Sequence, residues 1–264
     1  MAKNTARIKA KRGLDITPND TGAVFRPLKT AESVARDIAH DIVSNNLETG
    51  DTLPTEAVML EQYGVSRESL REGLRLLETQ GFITIRRGPR GGPMVGTVDP
   101  ANLGRVSTLY FHLLGATYDE LFDTWLIAEQ MIAERAARNP DDARRREAMA
   151  PYFENRNGRA PGELEEFVTR HTSFHGQLGM LTDNRVFALT MRTYGLIVSH
   201  HMAHVGDPRE LAEVLTEDHT VIARAVAAGH ANKARAEMEH HISRVLEDFR
   251  AHLGDRVNDY VEWL

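Results

Sequence analysis

From Thr30 the apolar positions Val34, Ile38, Ile42 and Val43 recur at helical spacing until Asn45-Asn46 and Gly50 interrupt them, which predicts a first helix. Leu53-Pro54-Thr55-Glu56 reads as a turn feeding an N-cap at Thr55, and the short helix behind it ends at Tyr63-Gly64. Ser66 caps a third helix that carries Leu70, Leu74 and Leu77 inward until Gly81 stops it. The period then changes. Phe82-Ile83-Thr84-Ile85 is a strand signal, Gly88 to Pro93 a loop, and Met94-Val95-Gly96 a second strand that pairs back. Beyond Asp99-Pro100 only amphipathic helical patterns remain, over about 100–114, 118–138, 141–156, 162–180, 184–204, 208–228 and 231–252. Their breaks, at Gly115, Asn139-Pro140, Gly158 to Gly162, Asp183, Gly206-Asp207-Pro208 and Gly229, are short, so successive helices are expected to lie antiparallel in one bundle.

The division expected from these patterns is a polar, basic arm over 1–25, a small mixed domain over 26–98, an all-helical domain over 99–254 and a tail over 255–264. With 264 residues, 41% hydrophobic and 27% charged, the chain has enough apolar material for two cores. No run approaches the roughly 20 apolar residues of a membrane span, and the basic start has no apolar stretch behind it, so a cytoplasmic protein without a membrane partner is expected. The absence of cysteine excludes disulfides, thiolate nucleophiles and Cys-type zinc sites; any metal must sit on His, Asp or Glu. Charge is uneven: residues 1–97 hold 14 Lys+Arg against 12 Asp+Glu, the rest 18 against 26. A mildly basic front on an acidic back fits a chain of which only the front approaches phosphates.

Two short helices separated by Tyr63-Gly64-Val65 have the layout of a helix-turn-helix. The second helix opens with Arg67, Glu68 and Ser69. Arg71 follows four residues after Arg67, which places both arginines on one face. Taken alone, they fit ordinary solvated arginines as well as a DNA-reading pair. The run LPTEAVMLEQYGVSRESLREGLRLLETQGFITIRRGPRGG resembles the N-terminal domain of the GntR family of regulators, in which LPSE, GVSR, VREAL, EGL and a Gly-containing wing occur in this order. The resemblance implies DNA contacts from Arg67, Glu68, Ser69 and Arg71, and from a wing tip at Arg87 and Gly88. One departure is Ala57, where the family usually has arginine.

Twelve histidines raise the question of which converge. His171 and His175 share a stripe with Phe167, Phe174 and Leu178. His219 lies with Leu215, Ile222 and Val226, and His241 with Ala234, Met238, Val245 and Phe249, whereas His240 falls among charged residues. Four inward histidines from three helices can close on one divalent ion; spacing alone fits four separately satisfied buried histidines too. The region looks like the FCD effector domain of the FadR subfamily, with His171-Thr172-Ser173-Phe174-His175, His219 to Ala225, and Gly229 through Met238-Glu239-His240-His241 matching its motifs. That resemblance implies a metal on His175, His219 and His241, with His171 where the family has aspartate. An imidazole in place of a carboxylate favours Zn²⁺ or Ni²⁺ over harder ions. Many relatives hold an arginine that clamps an organic acid where this chain has Trp125, so a more aromatic or less acidic effector is expected, with Trp125 and His201 in its pocket; Trp125 as plain core fits equally. His200 and His204 read as solvated, and Arg144-Arg145-Arg146 as an exposed helix face.

The function expected is a homodimeric, ligand-responsive transcription regulator, a repressor, that binds a palindromic double-stranded operator and is tuned by an organic acid or aromatic metabolite at a metal-containing pocket. A His-metal hydrolytic enzyme is the competing class. No Asp or Glu falls at a recognisable general-base spacing beside the inferred ligands, and an enzyme has no use for the winged helix, so no enzymatic activity is expected.

Overall fold

The computed structural model describes residues 29–88, 91–153, 164–203 and 212–264. The chain divides between Asn102 and Leu103 into two compact units. The expected basic arm, the breaks at 158–162 and 206–208, and His204 lie outside the described residues.

In the first unit α1 (Thr30–Ser44) buries Ala31, Val34, Ala35 and Ile38 against α3 (Arg67–Thr79), which contributes Leu70, Gly73, Leu74 and Leu77. The two helices touch closely because Gly73 has no side chain: a Cβ there would stand 3.0 Å from the Ala31 carbonyl oxygen. Between them α2 (Glu56–Tyr63) starts where the Thr55 hydroxyl accepts the Val58 N–H and ends at Gly64, whose φ of 62° is the left-handed cap that turns the chain into α3. Ser66 caps α3 by accepting the Ser69 N–H at 3.2 Å. Tyr63 ties α2 back to α1, its hydroxyl donating to Asp41 at 2.7 Å.

The hairpin pairs β1 (Ile83–Arg86) antiparallel with β2 (Gly92–Val95), in register Ile83 to Val95 and Arg86 to Gly92. Gly92 and Pro93 belong to β2 rather than to the loop expected there. The reason is a third segment: Leu53 N–H donates to the Pro93 carbonyl and Val95 N–H to that of Asp51, extending the sheet on the other side of β2. Proline's missing donor faces that segment, so the ladder with β1 loses nothing.

The elements described in the second unit are all helices. After α4 (Pro100–Leu114), Gly115 turns the chain at φ 71° and Thr117 opens α5 (Tyr118–Ala137) with a reciprocal capping box to Glu120. Then come α6 (Asp142–Met149), α7 (Leu164–Leu181), α8 (Arg185–Ala203), α9 (Ala212–Ala227) and α10 (Ala231–Leu253). The core runs along α5 and α10: Ala128, Ile132, Ala133, Ala136 and Ala137 are buried on α5, and Phe122 meets Phe249 of α10 edge to face at 5.7 Å. Three expectations are corrected in detail. The helix predicted over 141–156 stops at Met149 and passes into a 3-10 turn, Ala150–Tyr152, because Pro151 has no N–H to continue the α-helical ladder. Residues 255–264 are packed rather than trailing: Val261 is fully buried, donates to the Ala116 carbonyl at 2.8 Å, and its own carbonyl meets His112 Nδ1 at 2.9 Å. Arg144 and Arg145 are tied down, Arg144 to Asp183 at 2.6 Å and Arg145 to Asp142 at 3.0 Å, and only Arg146 of the three is well exposed.

Candidate functional site

α7 brings His171 and His175 to one face, four residues apart, α9 supplies His219 and α10 His241, and one ligand nitrogen from each lies within 4.8 Å of all the others. His219 and His241 point Nε2 at Nε2 across 3.2 Å. That is close to the separation of two nitrogens each bound at about 2.0–2.1 Å to one tetrahedral ion. His175 Nε2 is buried with no hydrogen-bond partner, which is costly unless something else uses its lone pair. Phe174 stacks on His219 with ring centroids 4.0 Å apart and walls one side.

Burial and the neighbouring rings favour the neutral form of two members of the cluster, His171 and His241. Burial, then the neighbouring His175 and His241, push His171 well below the usual histidine range. Burial also lowers His241, against the opposing effect of its hydrogen bond to Asp218. Neutral imidazoles are the form that binds metal, so the donor set, its spacing and its orphaned nitrogen all fit a divalent ion.

Two carboxylates stand behind the ring edges that face away from the cluster. Glu129 of α5, 2% exposed, accepts from Trp125 Nε1 at 3.2 Å through one oxygen and lies 2.7 Å from His175 Nδ1 through the other. Asp218 of α9 lies 3.3 Å from His241 Nδ1, and its second oxygen accepts from Arg244 at 3.2 Å. Burial works against the Asp218 charge, but the hydrogen bond it accepts from His241 and the positive charge of Arg244 outweigh it and hold the carboxyl below its usual range. Sequence reasoning missed both residues. Asp218 directly precedes His219, and Glu129 lies on the buried stripe of α5, so each carried a signal that only the tertiary contact makes specific.

Trp125 is 3% exposed and belongs to the core. His201 of α8 is buried elsewhere along the bundle, edge-on to Tyr118 at 5.2 Å with its Nδ1 3.3 Å from the Tyr118 hydroxyl. His200 and His240 are exposed, as their phase predicts.

At the start of α3, Arg67, Glu68 and Arg71 are exposed and Ser69 is half-buried. Arg71 does not stand alone: its guanidinium takes both oxygens of Glu56, at 2.6 and 3.3 Å, and this hydrogen bonding lowers the Glu56 carboxyl from its usual range. On the wing Arg87 is exposed and Gly88, at φ 113°, begins the turn.

Residues 30–91 match the bacterial regulatory proteins of the gntR family and residues 120–244 match the FCD domain. The chain is 29% identical over 232 residues to the putative L-lactate dehydrogenase operon regulatory protein of Escherichia coli, covering 84% of this chain and 87% of that protein. It is 24% identical to the Uxu operon regulator of Haemophilus influenzae, over 82% of this chain and 80% of the other. Among solved structures, a Streptococcus agalactiae GntR protein shares the fold with a TM-score of 0.58 at 21% identity, over 82% of this chain and 99% of that one. Among the described residues no helix is long and apolar enough to cross a membrane. With a matched DNA-binding head, a matched helical domain and relatives that are named as operon regulators across most of their length, the chain is a GntR-family transcriptional regulator with an FCD effector domain.

Proposed function

We propose that the chain is a FadR-subfamily member, a homodimeric repressor whose hold on a palindromic operator is set by a small metabolite bound beside a zinc or nickel ion. His171, His175, His219 and His241 would hold the ion, which supplies a Lewis-acidic point for an organic acid or aromatic ligand. Arg67, Glu68, Ser69 and Arg71 would read the major groove and Arg87 and Gly88 the minor groove. The observation that carries this reading is the closing of four imidazoles from three helices on one point. Four nitrogens and no carboxylate among them suit borderline ions. That both named operon regulators cover four fifths or more of the chain supports control of a metabolic operon.

The test begins with selection of a binding sequence from random duplex DNA. Binding is then compared for metal-loaded and chelated protein, with and without a panel of organic acids and aromatic metabolites. The reading expects a palindromic site whose affinity changes with metal and with at least one panel member. An affinity indifferent to chelator and to every metabolite would contradict it.

A further inference from the structure

His175 and His241 are braced in the same way from different elements. In each case Nδ1 faces a carboxylate oxygen, and the other oxygen of that carboxylate is occupied by a group with no acceptor to offer: the Trp125 indole N–H on Glu129 and the Arg244 guanidinium on Asp218. Both carboxylates are largely withdrawn from water, Glu129 with 3% and Asp218 with 12% of the side chain exposed. An ionised carboxylate only accepts, so a neutral imidazole facing it must carry its proton on Nδ1. The Nε2 atom of that ring is then a bare lone pair. In His175 this is the buried nitrogen that has no hydrogen-bond partner, and in His241 it is the nitrogen 3.2 Å from His219 Nε2.

We propose that Glu129 and Asp218 are positioning residues, each fixing the facing imidazole as its Nδ1–H tautomer and so aiming the Nε2 lone pairs of His175 and His241 into one point. The consequence for metal rests on the reading that the four histidines share one ion. The donor-only partners are what make the carboxylates irreplaceable by amides. In Glu129→Gln the amide oxygen can serve Trp125 or His175, not both. If it serves the indole, the NH₂ group faces His175 Nδ1 and drives the proton to Nε2, which blocks the lone pair. If it serves His175, two donors confront each other at Trp125. Asp218→Asn meets the same conflict between Arg244 and His241. Trp125 thereby acts on the cluster through Glu129 without touching it.

Two readouts on the full-length chain test this. Nitrogen NMR of ¹⁵N-histidine-labelled, metal-free protein at about pH 8, above the unperturbed histidine value of about 6.5, reports the tautomers directly. His175 and His241 are expected as Nδ1–H forms, with His175 moving toward Nε2–H in Glu129→Gln and His241 in Asp218→Asn. Zinc affinity, measured by competition with a chelating dye, is expected to fall about 10–100-fold in each variant, the usual cost of losing a residue that orients a ligand. The visible spectrum of bound cobalt should change as well. Circular dichroism confirms folding; should Glu129→Gln fail to fold, the less buried Asp218→Asn carries the test on His241. Unchanged tautomers, or an unchanged zinc affinity and cobalt spectrum in a folded variant, would overturn the proposal. Wild-type protein that binds no zinc while its tautomers are as stated would instead overturn the single-ion reading and leave the tautomer assignment standing.

Discussion

In the DNA-binding head the side chains given a functional role stand outside the core that positions them, whereas in the helical unit they stand inside it. Arg67, Arg71 and Arg87 are exposed, and the helix that carries the first two and the strand that precedes the third are held from behind by Leu70, Leu74 and Ile83. The four histidines are themselves part of the packed interior, their rings set against one another and, for His219, stacked on Phe174. An exposed site tolerates substitution with little loss of stability and loses affinity instead. A buried site couples binding to stability, because whatever fills it acts on the folded state alone.

The largest expected effect separates the two regions. Leu70→Ala, at a fully buried position of the first core, should destabilise the head by about 2–5 kcal/mol. Because the two cores are distinct clusters, zinc binding by the same variant should be unchanged in a titration, while DNA binding and the head's thermal transition are lost or lowered. Second, His219→Ala and His241→Ala should each abolish the rise in melting temperature on adding zinc, a stabilisation of about 2.7 kcal/mol when free metal stands at about 100 times Kd. A calorimetric scan with and without metal checks this.

His171 and His241 set a pH dependence in chelated protein. His171 and His241 titrate lower in the folded chain than their unfolded value of about 6.5. Above that pH both states are neutral there and stability has no slope from them. Below it the unfolded chain takes up protons first, so stability falls with pH until the folded values are reached. Denaturant melts of apo-protein between about pH 8 and pH 5 should show this loss, and His171→Asp should alter it.

Smaller effects belong to the exposed side of the comparison. Arg67→Ala and Arg71→Ala should weaken operator binding by about 1–3 kcal/mol and flatten its salt dependence where a phosphate contact is lost, without moving the melting temperature appreciably. Arg71 is already held by Glu56, so Glu56→Ala should lower affinity too by loosening that guanidinium, to a lesser degree. Smallest is Ser66→Ala, which removes the cap from the DNA-reading helix and should cost about 1 kcal/mol in a melt.

Legibility in the sequence follows the same division. The head is written locally: the caps at Thr55 and Ser66, the glycine turn at Gly64 and the inward leucines are signals within a few residues, and the elements fall where those signals put them. What escaped was the pairing of 51–53 with β2, which comes from a segment some 40 residues earlier in the chain and turns an expected loop into strand. The Arg71–Glu56 pair escaped for the same reason. In the bundle, helical phase sufficed to select the four inward histidines, because each lies on the apolar stripe of its own helix. It could not show Glu129 and Asp218 behind them, since both meet their histidines from a different helix. Nor could it separate His201, equally buried, from the cluster: its partner Tyr118 belongs to another part of the bundle.

The most direct measurement of the central claim is the metal content of the full-length protein together with its melting temperature, for wild type and His219→Ala, after dialysis against zinc or nickel and after chelation. One ion per wild-type chain, a higher melting temperature when loaded, and neither in His219→Ala is the result expected from four converging imidazoles. Wild-type protein that retains no divalent ion, and melts at the same temperature with zinc, nickel or chelator, would contradict it.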